Sequence, residues 1–473
     1  MTAGLLGAVP TLAFPEPGLW WLAFVGFVPL LLSLRAAPSA REAMARGWVG
    51  GAGFFLAMHH WLLPQVSVFA LPLAFLLAVL WLPWAYLAWF LTRPPLSPAR
   101  LVGSVTVLPS AWVSAELVRS WEHLGGPWGL LGTSQWANQR VLGLAAVAGV
   151  WALSFVVMAV NVAVATALAP GMEWSARSGA VVIGGSVLAL TVAIGDRSAG
   201  PVERVVAVAG VQPGVIHGPE ERLRAHEAAT LPLAGAHPDL VVWGESSVGL
   251  DVESRPDQLA RLASVAHAVG ADVLVNVDAR RGPGGIYKSS VLVGPDGPVG
   301  RYDKIRMVPF GEHIPLRPVL GWASSVSQAA SEDRRRGSGL RLLPAGDLRI
   351  GPLVCFESAF PDLSRQLATQ GADLIVVQAA TTTFQGSWAQ PQHASLAAVR
   401  AVETGRPVVH ATLSGVTAVV DHTGQVRLWA PTTRRGAWAV TVPITAGTTP
   451  YVQLGPWVPL TCTLLLALLA LLA

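Results

Sequence analysis

The sequence predicts a two-part fold, a polytopic α-helical membrane domain carrying a soluble α/β domain. Three observations predict it. The 473 residues are 52% hydrophobic and 13% charged, with a mean hydropathy of +0.51, whereas ordinary globular chains carry about 25% charged residues. Charge is unevenly placed: residues 1–200 hold 9 Lys/Arg and 6 Asp/Glu, residues 201–450 hold 23 and 22, and residues 451–473 hold none. Between 201 and 450, short β-branched runs alternate with amphipathic stretches, the pattern of an α/β domain. The expected organisation is a transmembrane domain over 1–198, a soluble domain over 199–450 and a C-terminal transmembrane helix over 451–473.

A spanning helix needs about 20 mainly apolar residues. The stretches 18–34, 45–63, 69–92, 101–118, 141–169, 179–195 and 454–473 read as spans. The shorter stretch 3–14, which contains Pro10, reads as a first span paired with the second. That makes about seven spans before the soluble domain and one after it. A cleaved leader is not expected, since no basic run precedes the first apolar stretch. Arginines in short loops set orientation. Arg35, Arg41, Arg46, Arg93, Arg100 and Arg177 fall on one side, and Arg119 and Arg140 on the other. Six against two places the soluble domain outside the cytoplasm. Trp20, Trp21, Trp61, Trp81, Trp84, Trp89, Trp121 and Trp128 lie at or near span ends and are expected as interfacial anchors. The Gly- and Trp-rich segment 122–138 reads as a re-entrant or interfacial loop.

In the soluble part, strands are expected over 204–211, 240–243, 273–277, 289–293, 349–356, 374–378, 408–412, 417–421 and 425–429. Helices are expected over 219–230, 256–269, 361–370 and 392–404. About 250 residues suffice for a full core. The chain has two cysteines, Cys355 and Cys462, the latter in the apolar tail, so no disulfide framework is expected. No basic stripe with interleaved aromatics is present, which argues against nucleic acid. No His/Cys/Asp cluster has metal-ligand spacing and no Gly-rich phosphate loop follows a strand, so neither metal nor cofactor is expected.

Three segments point to chemistry. Cys355 ends an apolar strand ahead of a helix, where backbone N–H groups can bind an oxyanion and lower the thiol pKa. A buried inert thiol is the bland alternative. Glu245 directly follows the strand 240–243 and is placed to serve as a general base, or simply as a solvated loop acid. Lys304 is one of two lysines in a chain that otherwise uses arginine, the other being Lys288. A retained lysine suits a site that needs a compact ammonium beside an oxyanion, although a surface lysine reads the same way. Glu312, eight residues on, is placed to hold Lys304 or to share the base role. The Arg-rich segment 325–339 reads as a solvated loop or a lid.

Glu245, the segment YDKIRMVPFGEHIPL at 302–316 and CFES at 355–358 resemble the nitrilase superfamily, with its ordered Glu, Lys and Cys. Together with the spans on either side, and with GRPVVHATLSGVTAVVDHTG at 405–424, the whole chain resembles that superfamily's membrane-bound branch, the apolipoprotein N-acyltransferases. The resemblance implies an α-β-β-α sandwich on a helical membrane domain. It implies ping-pong transfer of an acyl chain from a phospholipid, through a thioester on Cys355, to the N-terminal α-amino group of a diacylated apolipoprotein. Glu245, Lys304, Cys355 and Glu312 are then catalytic, and Phe356 and Glu357 bind substrate. The location implied is the bacterial inner membrane with the catalytic domain on its outer side, the chain acting as a monomer. Three positions depart from the family pattern: Gly244 replaces the usual Pro, Phe356 the usual Tyr, and Ala379–Thr383 a Ser-Asn-Asp-like segment. A membrane-tethered amidase is the competing enzyme reading. A silent lipid-binding scaffold is disfavoured by the intact triad, and a transporter by a lack of paired charges in the spans.

Overall fold

The computed structural model describes residues 2–195, 201–282, 285–322, 324 and 332–472. The chain divides into two compact units, Met1–Ser198 with Leu454–Ala473, and Ala199–Gln453. The junction between them at 198/199 lies outside the described residues.

In the first unit, His60–Thr92, Pro98–Arg119, Ala145–Leu168 and Trp174–Gly195 are long and apolar enough to cross a membrane, and Thr2–Ala13, Trp20–Arg35 and Trp457–Leu472 are shorter apolar helices. Ala40–Met58 is a further helix, capped by Ser39. The first short apolar stretch meets the second, with Leu19 N–H donating to the Leu12 carbonyl (3.0 Å), and its helix also packs closely on Ala40–Met58, where glycine is the reason. A Cβ at Gly7 would lie 1.9 Å from the Gly50 carbonyl oxygen, and one at Gly53 would lie 2.0 Å from that of Gly4. Small residues let two backbones approach this closely. Trp81 and Trp84 are not interfacial anchors. Both are buried in an aromatic core where Trp112 lies 4.7 Å from Trp81 and 4.7 Å from Phe27, ring centre to ring centre. Trp20, Trp21 and Trp121 remain exposed.

The irregular segment 122–138 is folded into this unit. Its short helix Leu131–Gln135 is buried, and the chain satisfies its backbone locally. Leu131 N–H donates to Glu116 (2.6 Å), Gly132 N–H to the Ser154 hydroxyl (2.8 Å), and Arg119 donates to the Trp128 carbonyl (2.6 Å). Irregular backbone among apolar helices needs such partners. The helical unit therefore does hold buried charges, Glu116 and Arg119, one turn apart. Their hydrogen bonds serve the segment 122–138.

In the second unit, twelve strands among the described residues form two six-stranded sheets. The first contains Val202–Gln212 (β1), Leu240–Trp243 (β2), Asp272–Arg280 (β3), Ile286–Gly294 (β4), Gly297–Asp303 (β5) and Gly436–Thr445 (β12), in the order β12-β1-β2-β3-β4-β5. The second contains Leu343–Ala345 (β6), Leu348–Val354 (β7), Leu374–Ala379 (β8), Val408–Thr412 (β9), Thr417–Val420 (β10) and Val426–Ala430 (β11), in the order β11-β10-β9-β8-β7-β6. In each sheet three parallel strands, β1-β2-β3 and β7-β8-β9, are flanked by antiparallel ones.

Side-chain alternation explains the layering. Leu240 and Val242 of β2 join Ile350, Leu374, Val376 and Val409 in the core between the sheets. Val241 and Trp243 face outward onto Leu223 of the helix Pro219–Thr230 (α1) and onto Leu262 and Val265 of Pro256–Val269 (α2). On the second sheet, Leu367 of Pro361–Thr369 (α3) lies against Gly351, and Ala394 of Ala389–Thr404 (α4) packs with Ala418. The result is an α-β-β-α sandwich. Strands β5, β6 and β12 lie outside the sequence-predicted set. The strand expected over 349–356 ends at Val354, because Cys355 leaves the extended conformation and starts a helical turn, Cys355–Ala359.

Candidate active site

Glu245, Lys304 and Cys355 each follow the last residues of a strand, β2, β5 and β7 respectively. Ligand sites in α/β sheets gather at these carboxyl ends. Cys355 sits at φ +52° and Ser246, next to Glu245, at φ +56°. Non-glycine residues in that region carry strain that clusters at functional sites. The Cys355 carbonyl is held by His393 of α4, whose Nε2 lies 3.0 Å away and also 3.0 Å from the Ser358 hydroxyl. Burial drops His393 to about 4, so its ring is neutral near pH 7.

Glu245 is pinned at both ends of its carboxylate. Oε2 accepts from the Ala380 N–H at 3.0 Å, and Oε1 lies 3.0 Å from Lys288 Nζ. Its backbone N–H donates to the Ala379 carbonyl (3.0 Å), which also takes the Leu413 N–H (3.0 Å). The segment Ala379–Thr383 thus meets Glu245 through its main chain, a contact open to many side chains. Gly244 is there for space: a Cβ would stand 2.0 Å from the Leu413 nitrogen.

Lys304 is fully buried. Its Nζ donates to both oxygens of Glu312 at 2.8 Å, and the Val308 N–H donates to Glu312 Oε2 at 2.8 Å. Glu312 therefore closes the 304–312 loop onto the lysine. Residues 325–331 of the Arg-rich segment lie outside the described residues. Beyond them, Arg334 N–H donates to the Glu312 carbonyl and Gly337 N–H to the Lys304 carbonyl, both at 2.8 Å.

Electrostatics link these groups. Burial works against the Glu245 carboxylate, but Lys288 and then Lys304 outweigh it and hold the group below the usual carboxylate range. Burial, followed by the Glu245 charge, pushes the Cys355 thiol up, while Lys304 pulls the other way. The resting pair is therefore a carboxylate and a neutral thiol. Burial would lower Lys304, and Glu312 and Glu245 reverse this, keeping it an ammonium.

Glu357, expected to bind substrate, is fully buried and bonded to its own chain. It accepts from the Tyr302 hydroxyl (2.9 and 3.0 Å) and from the backbone N–H groups of Ile305 (2.8 Å), Arg306 (3.0 Å) and Val354 (2.8 Å). It braces the lysine loop against the cysteine turn. Phe356 is buried with its ring edge-on to Phe360, 5.0 Å away.

Sequence reasoning missed Lys288, its partner Asp278, and His393. Lys288 carried a usable signal, its rarity. His393 and Asp278 carried none, lying within an ordinary helix and an ordinary strand.

Comparison with known proteins follows this geometry. The family described as Apolipoprotein N-acyltransferase N-terminal domain matches residues 6–163, and the Carbon-nitrogen hydrolase family matches residues 205–445. Among curated relatives, the apolipoprotein N-acyltransferase of Geobacter metallireducens is 30% identical, over 91% of this chain and 87% of its own length. Those of Pseudomonas aeruginosa and Pseudomonas putida are each 31% identical, over 95% and 98% of this chain and 91% and 95% of their own. Part of the chain is also similar to solved structures. An amidase from Nesterenkonia sp. shows 20% identity over 54% of this chain and 95% of that one, with TM-score 0.40. A CN-hydrolase superfamily protein from Xanthomonas campestris shows 22% identity over 51% and 91%, with TM-score 0.39.

Proposed function

This chain belongs to the apolipoprotein N-acyltransferase family, and we propose that it transfers an acyl chain from a phospholipid, by way of a thioester on Cys355, to the N-terminal amine of a diacylated lipoprotein. The observation that carries this reading is that Glu245, Lys304 and Cys355 stand at the carboxyl ends of three strands, with Lys304 buried and held by both oxygens of Glu312.

In the first half-reaction Glu245 takes the thiol proton as sulfur attacks the ester carbonyl. The oxyanion forms against the Lys304 ammonium, a fixed charge in a dry site. The C–O bond breaks, Glu245 returns the proton to the departing glycerol oxygen, and a lysophospholipid leaves. In the second, the neutral lipoprotein amine attacks the thioester and loses a proton to Glu245. The C–S bond breaks, the proton returns to sulfur, and an amide remains. Acid and base roles alternate on one carboxylate. Glu312 keeps Lys304 in place. The Arg-rich loops on one side of the helical unit support an extracytoplasmic catalytic domain, where both lipid substrates are within reach.

The test uses right-side-out and inverted membrane vesicles, with a diacylated lipopeptide added outside. A gain of one acyl chain on the lipopeptide in right-side-out vesicles, absent with Cys355→Ala, is expected. Gain in inverted vesicles alone contradicts the orientation. Release of ammonia from small amides, with the lipopeptide unchanged, contradicts the transfer.

A further inference from the structure

The ion pair that Glu245 makes involves a residue that the reaction scheme leaves idle. Lys288 projects from β4 and is buried. Its Nζ lies 3.0 Å from Glu245 Oε1, 3.2 Å from Asp278 Oδ2 on β3, and 3.0 Å from the Ser246 hydroxyl. Three oxygens match the three N–H donors of an ammonium. The Ser246 hydroxyl in turn approaches Asp278 Oδ2 at 3.3 Å, and the Ser246 N–H donates to Asn276 Oδ1 at 2.9 Å. The left-handed turn at Ser246 is thereby built around the lysine. We propose that Lys288 is a positioning residue for Glu245, clamping Oε1 and holding the carboxylate aimed at Cys355 as each half-reaction begins.

With Oε2 bound to the Ala380 N–H and Oε1 to Lys288, the carboxylate cannot rotate without breaking a bond. The titratable groups around it are Lys288 from β4, Asp278 from β3, Lys304 and Glu312 from the loop after β5, the Cys355 thiol, and neutral His393 from α4. Lys288 is the largest of the two cationic influences on Glu245, ahead of Lys304. Asp278 is itself held ionised by Lys288 and by Arg334, whose guanidinium is 3.6 Å away. Without Lys288, Glu245 would face Asp278 with one opposing cation fewer. Its pKa would rise, and the fraction able to accept a proton at a given pH would fall.

This inference rests on Glu245 acting as the base, so its test avoids the lipid substrates. The rate of Cys355 alkylation by iodoacetamide, followed by mapped mass in a Cys462→Ala background, reports base-assisted thiol attack against pH. Glu245 must be ionised for this, so the rate falls on the acid side of its pKa. In Lys288→Met/Asp278→Asn, which removes the lysine together with its second carboxylate partner, the acid limb is expected to move up by at least one pH unit, a tenfold lower rate at a fixed pH on the limb. Lys288→Arg keeps the charge and is expected to keep the limb. Superimposable limbs for the double variant and the parent would overturn the proposal. So would a limb that moves as far in Lys288→Arg as in the double variant, since packing would then explain it. A chain that shows the shift yet never acylates a lipopeptide would refute the transfer reading and leave this one standing.

Discussion

At Gly244 and Glu245 one backbone atom's room decides where the base stands. Gly244 abuts the Leu413 nitrogen so closely that a Cβ would sit 2.0 Å from it, and the Ala379 carbonyl takes N–H groups from both Glu245 and Leu413. Gly244→Ala must push the two chains apart, at an overpacking cost of about 1–3 kcal/mol, and must shift Glu245 from Cys355. The expected result is a lower melting temperature together with a kcat reduced more than KM is raised; full activity with parental stability would show that the contact relaxes freely. The same residues show what was legible at this scale. Cys355 and Glu245 were readable because each stands at the end of an expected strand, and Lys304 because lysine is a rare type in this chain. Lys288 was equally rare, but IYKSSVLV reads as a plain strand. That its side chain ends on Glu245 depends on the β3–β4 register, in which Lys288 pairs with Asp278, and no local pattern reveals register.

At the scale of elements, sequence alternation located the parallel strands and the four covering helices, since these carry the longest apolar runs. The strands it did not mark are at edges or very short. β12 includes Pro443, which a sheet edge tolerates because β12 pairs on one side with β1, and β6 has three residues. Helix α1 and the β9–α4 layer also bury histidines. His226 stacks on Trp243, and His393 and His410 meet edge-on at 4.7 Å. Burial holds them at about 4, about 4 and about 3, against an ordinary 6.5. Between these values the unfolded chain binds more protons than the folded one. Stability is therefore full above about pH 6.5 and is lost as pH falls toward 4, by about 1.4 kcal/mol per pH unit for each histidine. Thermal melts of the detergent-solubilised protein from pH 8 to pH 5 should show midpoints dropping by about 2–4 °C per kcal/mol lost. His226→Gln should flatten that slope by about a third, and an unchanged slope would contradict the assignment.

Across the whole molecule, hydropathy and charge separated an apolar helical part from a mixed soluble part. The helical details that composition did not reveal are tertiary. The first short helix meets Ala40–Met58 through glycines, Trp81 and Trp84 fill a core, and the buried Asn161 accepts from the Phe27 N–H (2.9 Å) and donates to the Ala23 carbonyl (2.7 Å), mending a break between two helical pieces. None of these follows from a run of apolar letters. In the proposed transfer a lipid-compatible unit is joined to a thiol site for one reason: the acyl group would wait on the protein between a donor that leaves and an acceptor that arrives. The most direct measurement is the intact mass of the purified protein after incubation with a phospholipid of defined chains and no acceptor. The account predicts a gain of one acyl group, mapped to Cys355, released by neutral hydroxylamine and discharged on adding a diacylated lipopeptide. A protein that acylates the lipopeptide while its own mass never changes, or whose adduct maps to another residue, would contradict it.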